Sequence, residues 1–175
     1  MSLKNSYILK NSLPIAFAYI ILGFTFGVLF GVKGGSPIEA FFISALGYSG
    51  VTQFIALEFY HGGFPAIVLF STLIVINLRH VLYGIPFLNL WQGKLKFYLF
   101  GTLTDEAFAL SQVYRERKPS MFEWVKVHFL NHFYWIFGCV SGSLVPADVI
   151  HKFAGADFAL IALFLSIFAS TLRKK

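Results

Sequence analysis

Asp105 and Glu106 stand side by side within an apolar run, and carboxylates in such company have few uses. They bind an ammonium, carry a proton or close an ion pair, because a charge at bilayer depth costs about 3 kcal/mol on insertion scales. Adjacent residues on a helix point about 100° apart, so the two cannot face one cavity equally. One lines a pathway while the other is neutralised by a basic partner or a proton; a structural ion pair to Arg79 is the plainer alternative. Asn77, Arg79, His80 and Tyr83 crowd the end of another apolar run. On a helix Asn77, His80 and Gly84 share one face, and Arg79 and Tyr83 another. Either the helix carries Arg79 and His80 to membrane depth, or it breaks there beside a polar cavity. An interfacial anchor, with Arg79 reaching to the headgroups, is the competing account.

Backbone chemistry offers a third candidate. Gly47-Tyr48-Ser49-Gly50-Val51-Thr52-Gln53 places two glycines among Ser, Thr and Gln, where a helix could break and present N–H groups to a carboxylate. Tight packing explains the glycines equally well. Asp157 is another acid in apolar company, or a helix-start carboxylate. His128, Asn131, Trp135, Gly138 and Gly142 recur at spacings of three and four with His132 alongside, a stripe that suits helix packing. Gly23, Gly27 and Gly31 make two successive G-x-x-x-G spacings with the same use.

The elements that position these groups follow from composition. Of 175 residues 57% are hydrophobic and 19% aromatic, with 22 Phe, and only 13% are charged. A soluble fold of this size cannot hide so much apolar surface, whereas a bilayer can. The expectation is an all-α, polytopic integral membrane protein with about six transmembrane helices, some broken or re-entrant, in a single domain over 1–175. The spans run roughly 12–32, 40–57, 64–83, 97–113, 125–145 and 154–172. The first has no charge over 21 residues, enough to cross about 30 Å of hydrocarbon, and reads as a retained helix rather than a signal peptide. No internal repeat is convincing at the level of residues.

The net charge of +6 serves orientation, since Lys and Arg gather between apolar runs and at the ends. With six crossings, Lys4, Lys10, Arg115, Arg117, Lys118, Lys126, Arg173, Lys174 and Lys175 fall on one side. Lys33, Lys94, Lys96 and Lys152 fall on the other, so both termini are expected in the cytoplasm. Cys139 reads as a packed thiol. There is no phosphate-binding loop, no H-E-x-x-H, no Cys/His metal spacing and no nucleophile elbow. An enzyme, a cofactor and nucleic acid are therefore not expected.

Four segments then carry a resemblance. Asn77-Leu78-Arg79-His80-Val81-Leu82-Tyr83-Gly84 resembles the N-L-R-H-x-L-Y-G signature of the AzlC-type large subunits of branched-chain amino acid exporters. Leu103-Thr104-Asp105-Glu106-Ala107-Phe108-Ala109-Leu110 is similar to that family's L-T-D-E-x-F-A-L segment. Ser49-Gly50-Val51-Thr52-Gln53-Phe54 resembles its A-G-x-x-Q-F stretch, and Asp157-Phe158-Ala159-Leu160 its D-F-A-L element. The pieces keep the family's order from about Pro14 to Phe164. The resemblance implies export of Val, Leu, Ile and sometimes Met across the cytoplasmic (inner) membrane, driven by the membrane gradient. It also implies a small hydrophobic AzlD-type partner subunit. Family members usually continue well beyond the position of Leu172, so this chain reads as a C-terminally shortened one.

A zwitterionic amino acid needs a cationic or N–H-rich site for its carboxylate, an anionic site for its ammonium and an apolar pocket. Arg79 or the Gly50 region suits the first, and Asp105 or Glu106 the second. Phe54, Phe108 and Trp135 suit the third, with Asn77, His80, Gln53 and Asp157 as further substrate-binding or proton-coupling candidates. The expectation is a secondary transporter exchanging amino acid for protons. Its rival is a non-transporting membrane scaffold whose buried charges pair with partner helices.

Overall fold

The computed structural model describes residues 5–59 and 65–146. Within them the secondary structure is all helical: α1 (Asn5–Val32), α2 (Pro37–Leu46), α3 (Gly50–Phe59), α4 (Ala66–Gly84), α5 (Leu95–Gly101), α6 (Asp105–Arg115) and α7 (Met121–Ser143). A 3-10 turn, Ile85–Phe87, extends α4. The expected stretch at 154–172, with Asp157, lies outside the described residues.

Local chemistry sets the helix starts. Ser36 caps α2 and Ser120 caps α7, each in a capping box closed by the glutamate three residues on, Glu39 and Glu123. Thr104 caps α6, accepting from the Ala107 N–H at 3.3 Å, and Asp105 and Glu106 fill the first turn, where the positive helix end favours acids. Two helical segments, Ser6–Val32 and Ala66–Phe87, are long and apolar enough to cross a bilayer.

α1 and α7 form the central pair and run parallel. Glycine decides their separation: a Cβ on Gly23 would stand 2.9 Å from the Trp135 carbonyl oxygen, and one on Gly138 2.8 Å from that of Ile20. The two small-residue stripes of the sequence are thus each other's partners. One aromatic core joins Phe87, Trp91, Tyr114 and Trp124; the other joins Tyr19, Phe26, Tyr48 and Trp135.

The chain path differs from six crossings. α2 leaves the far end of α1, and α3 returns there, since Phe54 meets Phe26 and Glu58 pairs with Lys33 at 3.8 Å. The intervening break sits deep, with Tyr48 on His132 and Gly50 on Trp135. α4 then descends to the start of α7, where Phe87 and Trp91 pack on Trp124. α5 and α6 form a second hairpin from that end, because Tyr114 packs on Tyr7 and its hydroxyl donates to the Ile8 carbonyl. The stretches expected as spans 40–57 and 97–113 each divide into two half-helices, α2–α3 and α5–α6, that double back at a break. The breaks lie at 47–49 and 102–104, each followed by a fresh helix start. The end carrying the start of α1 and the end of α6 is here called the basic end, and the other the far end.

Candidate functional site

The two hairpin tips meet at mid-height, and each break is held by side chains. At the first, the Gln53 amide donates to the carbonyls of Ile43 (3.1 Å) and Gly47 (3.4 Å), which also accept from the backbone N–H groups of Gly47 and Ser49. Its oxygen accepts from the Trp135 indole at 3.0 Å. Gln53 is buried and committed to the break, so it stands behind the site rather than in it. Asn77 ties α4 to the same tip, donating to Thr52 Oγ1 at 2.8 Å and accepting from Ser49 Oγ at 3.3 Å. At the second break the Tyr19 hydroxyl lies 2.5 Å from Thr104 Oγ1 and donates to the Glu106 carboxylate at 2.8 Å.

Between the tips lies a cavity of about 300 Å³. Tyr48, Ser49 and Gly50 reach it from the first hairpin, and Thr104, Asp105 and Glu106 from the second; Arg79 and His80 reach it from α4. The apolar wall is Leu22, Val51, Phe54 and Trp135. Arg79 Nη1 and Asp105 Oδ2 form an ion pair at 2.8 Å, with the side chains 35% and 40% exposed. That exposure leaves the pair open to a ligand. Arg79 Nε and Asp105 Oδ1 are buried atoms with no hydrogen-bond partner among the described residues. Such atoms cost free energy until something satisfies them, so this pair holds an unspent donor and an unspent acceptor side by side.

Arg79, His80, Gly50, Asp105 and Glu106 thus converge on one cavity. Asn77 lies in the wall of a neighbouring one of about 240 Å³, which also shares Tyr48, Ser49 and His80 with the first. Phe108 does not wall the site: it stacks on Tyr83 at 4.6 Å and packs in the aromatic core. Asp105 and Glu106 sit at a helix start, not in the middle of a continuous span. Thr followed by two acids is an N-terminal signature, and it marks that break in the sequence. Tyr19 and Leu22 also line the cavity; the sequence signal for Tyr19 is a phenol inside an uncharged run, which asks for a polar partner. His128 is a packed residue, fully buried between Thr102 Oγ1 (2.9 Å) and Ser111 Oγ (3.2 Å). Among the described residues no group of three His, Cys, Asp or Glu could hold a metal ion.

Comparison with known proteins places these observations. The family model described as "AzlC protein" matches residues 14–148. The chain is 34% identical to the branched-chain amino acid transport protein AzlC of Bacillus subtilis, over 90% of this chain and 63% of that protein. It is 31% identical to the inner membrane protein YgaZ of Escherichia coli, over 95% of this chain and 72% of that protein. An uncharacterized membrane protein of Archaeoglobus fulgidus is also 31% identical, over 94% and 74%. The chain therefore spans less than two thirds of the length of the Bacillus relative. No solved structure matches it.

Proposed function

The chain belongs to the AzlC family of membrane proteins, and we propose that it forms the transporting core of an exporter for branched-chain amino acids. Leucine, valine and isoleucine, with methionine as a further substrate, leave the cytoplasm through it in exchange for protons, together with a small AzlD-type subunit. The observation that carries the reading is the half-satisfied Arg79–Asp105 pair on the wall of a cavity otherwise lined by Leu22, Val51, Phe54 and Trp135. A zwitterion fits that arrangement. Its carboxylate is drawn to the Arg79 guanidinium, its ammonium to the Asp105 carboxylate, and its side chain takes the apolar wall. The volume, about 300 Å³, is at the lower limit for small-molecule sites and suits a single amino acid. His80 and Glu106, on the same wall, are the groups available for proton coupling.

A scaffold role draws on a different observation: the most apolar window of α4 has no residue buried by the other described residues. Efflux separates the two readings. Cells expressing the chain with and without the small subunit are preloaded with labelled leucine, valine and methionine, and the proton gradient is collapsed in a parallel sample. Gradient-dependent efflux that needs both chains is expected. Absence of flux from well-inserted protein with the small subunit present overturns the transporter reading in favour of the scaffold.

A further inference from the structure

The tips of the two hairpins are related by an offset of 55 residues. α3 begins at Gly50 and α6 at Asp105, a difference of 55 residues; the breaks begin at Gly47 and Thr102, again 55 apart. α1 ends at Val32, and the 3-10 turn that ends α4 closes at Phe87, once more 55 on. Each unit is a long helix followed by a half-helix hairpin, and the hairpins enter from opposite ends of the molecule. The arrangement is that of an inverted repeat, 5–59 against 65–114, with the cavity between the hairpin tips.

The repeat also pairs the contacts. Thr104, in the second break, bonds Tyr19 on the long helix of the first unit. Ser49, at the equivalent position 55 residues earlier, bonds Asn77 on the long helix of the second unit. We infer that these are the two gates of the central cavity: Tyr19–Thr104–Glu106 closes it toward the basic end, and Asn77–Ser49–Thr52 closes it toward the far end. The inference rests on the transporter reading.

A shallow surface groove borders the first gate. Glu106 is shared between the central cavity and this groove of about 360 Å³, walled by Asn11, Ile15, Ala109, Leu110 and Val113. Asn11 precedes Tyr19 by eight residues and Val113 follows Glu106 by seven, so the groove extends about 10–12 Å toward the basic end along both helices. Glu106, held by the Tyr19 phenol at 2.8 Å, lines both spaces. Tyr19 is accordingly a positioning residue, acting through Glu106.

Cysteine accessibility tests this without substrate, so its outcome is independent of the leucine efflux. Leu22→Cys places a thiol on the central cavity, and Cys139 is buried, so the parent chain gives the background. A membrane-impermeant methanethiosulfonate is applied to sealed vesicles of each orientation. Tyr19→Phe should raise labelling at position 22 at least about tenfold from the basic end alone, the factor expected for losing a charge-assisted hydrogen bond. Asn77→Leu should raise it from the far end alone. Glu106→Gln, which keeps the volume and removes the charge, replaces Tyr19→Phe should that variant fail to insert. Unchanged labelling, or both variants opening the same face, overturns the inference, because a merely structural loosening does not choose a side.

Discussion

Asp105 meets Arg79 through one oxygen only, and in the proposed transporter it is a substrate-binding group rather than a structural counter-ion alone. A carboxylate meant only to neutralise Arg79 would bring both oxygens to the guanidinium fork, the stronger geometry. Asp105→Asn keeps the volume and removes the charge that an ammonium needs. Leucine efflux is expected to fall by at least about a hundredfold, since a charged hydrogen bond is lost and the cavity-facing guanidinium loses its counter-ion. Membrane insertion and elution profile should stay unchanged. Efflux at the parental rate would remove Asp105 from the substrate site. Such residues are legible in sequence because charge in an apolar run is costly whatever the fold. The direction in which each points is not legible. Gln53 and Asn77 look alike as polar residues near the site, yet the first break and Trp135 of α7 between them take up the Gln53 amide, which is a tertiary fact.

At the scale of elements, the sequence shows apolar stretches far better than it shows what they do. The run at 97–113 is long enough to suggest a crossing; only the Thr104-Asp105-Glu106 start signal, read as a cap, divides it into two half-helices. The first break is signalled by Gly47 and Gly50, but packing and interruption both call for glycine, so composition alone leaves it open. The α1–α7 pairing was half visible, as two small-residue stripes whose mutual fit needed coordinates. Its energetics are testable. Gly138→Val puts a side chain against the backbone of Tyr19 and Ile20, which cannot yield, so the helices must part. The expected loss is about 1–3 kcal/mol, read as a lower unfolding temperature in detergent. Gly31→Ala is the counterpart: the nearest atom would lie at 3.6 Å, an ordinary contact, so it should unfold no earlier than the parent. Equal destabilisation by both would mean that close approach is not what the glycines secure. Outside the apolar stretches, the Ser36 N–H and hydroxyl hold the Glu39 carboxyl below its usual range. That capping box is therefore complete at neutral pH and is lost only as pH falls through the lowered value.

For the whole molecule, re-entrant hairpins change which charges share a side. Six crossings put Lys94 and Lys96 opposite Lys10, Arg115 and Arg117. The path from Trp91, packed on Trp124 at the start of α7, instead brings them to the same end. Among the described residues the basic end then holds Lys10, Lys94, Lys96, Arg115, Arg117, Lys118 and Lys126, while Lys33, salt-bridged to Glu58, marks the far end. Charge bias of this size orients membrane proteins with the basic end in the cytoplasm. We propose on this basis that the N-terminus lies in the cytoplasm, with one loop of the linear count moved to the basic end. Single cysteines at Gln92, Glu116 and Gly34 report the arrangement directly. An impermeant maleimide applied to intact cells should label Gly34→Cys alone, and opening the membrane should expose Gln92→Cys and Glu116→Cys together. Labelling of Gln92→Cys with Gly34→Cys would restore a crossing at 97–113 and dissolve the second hairpin. With it would go the inverted repeat and the central cavity between the two tips.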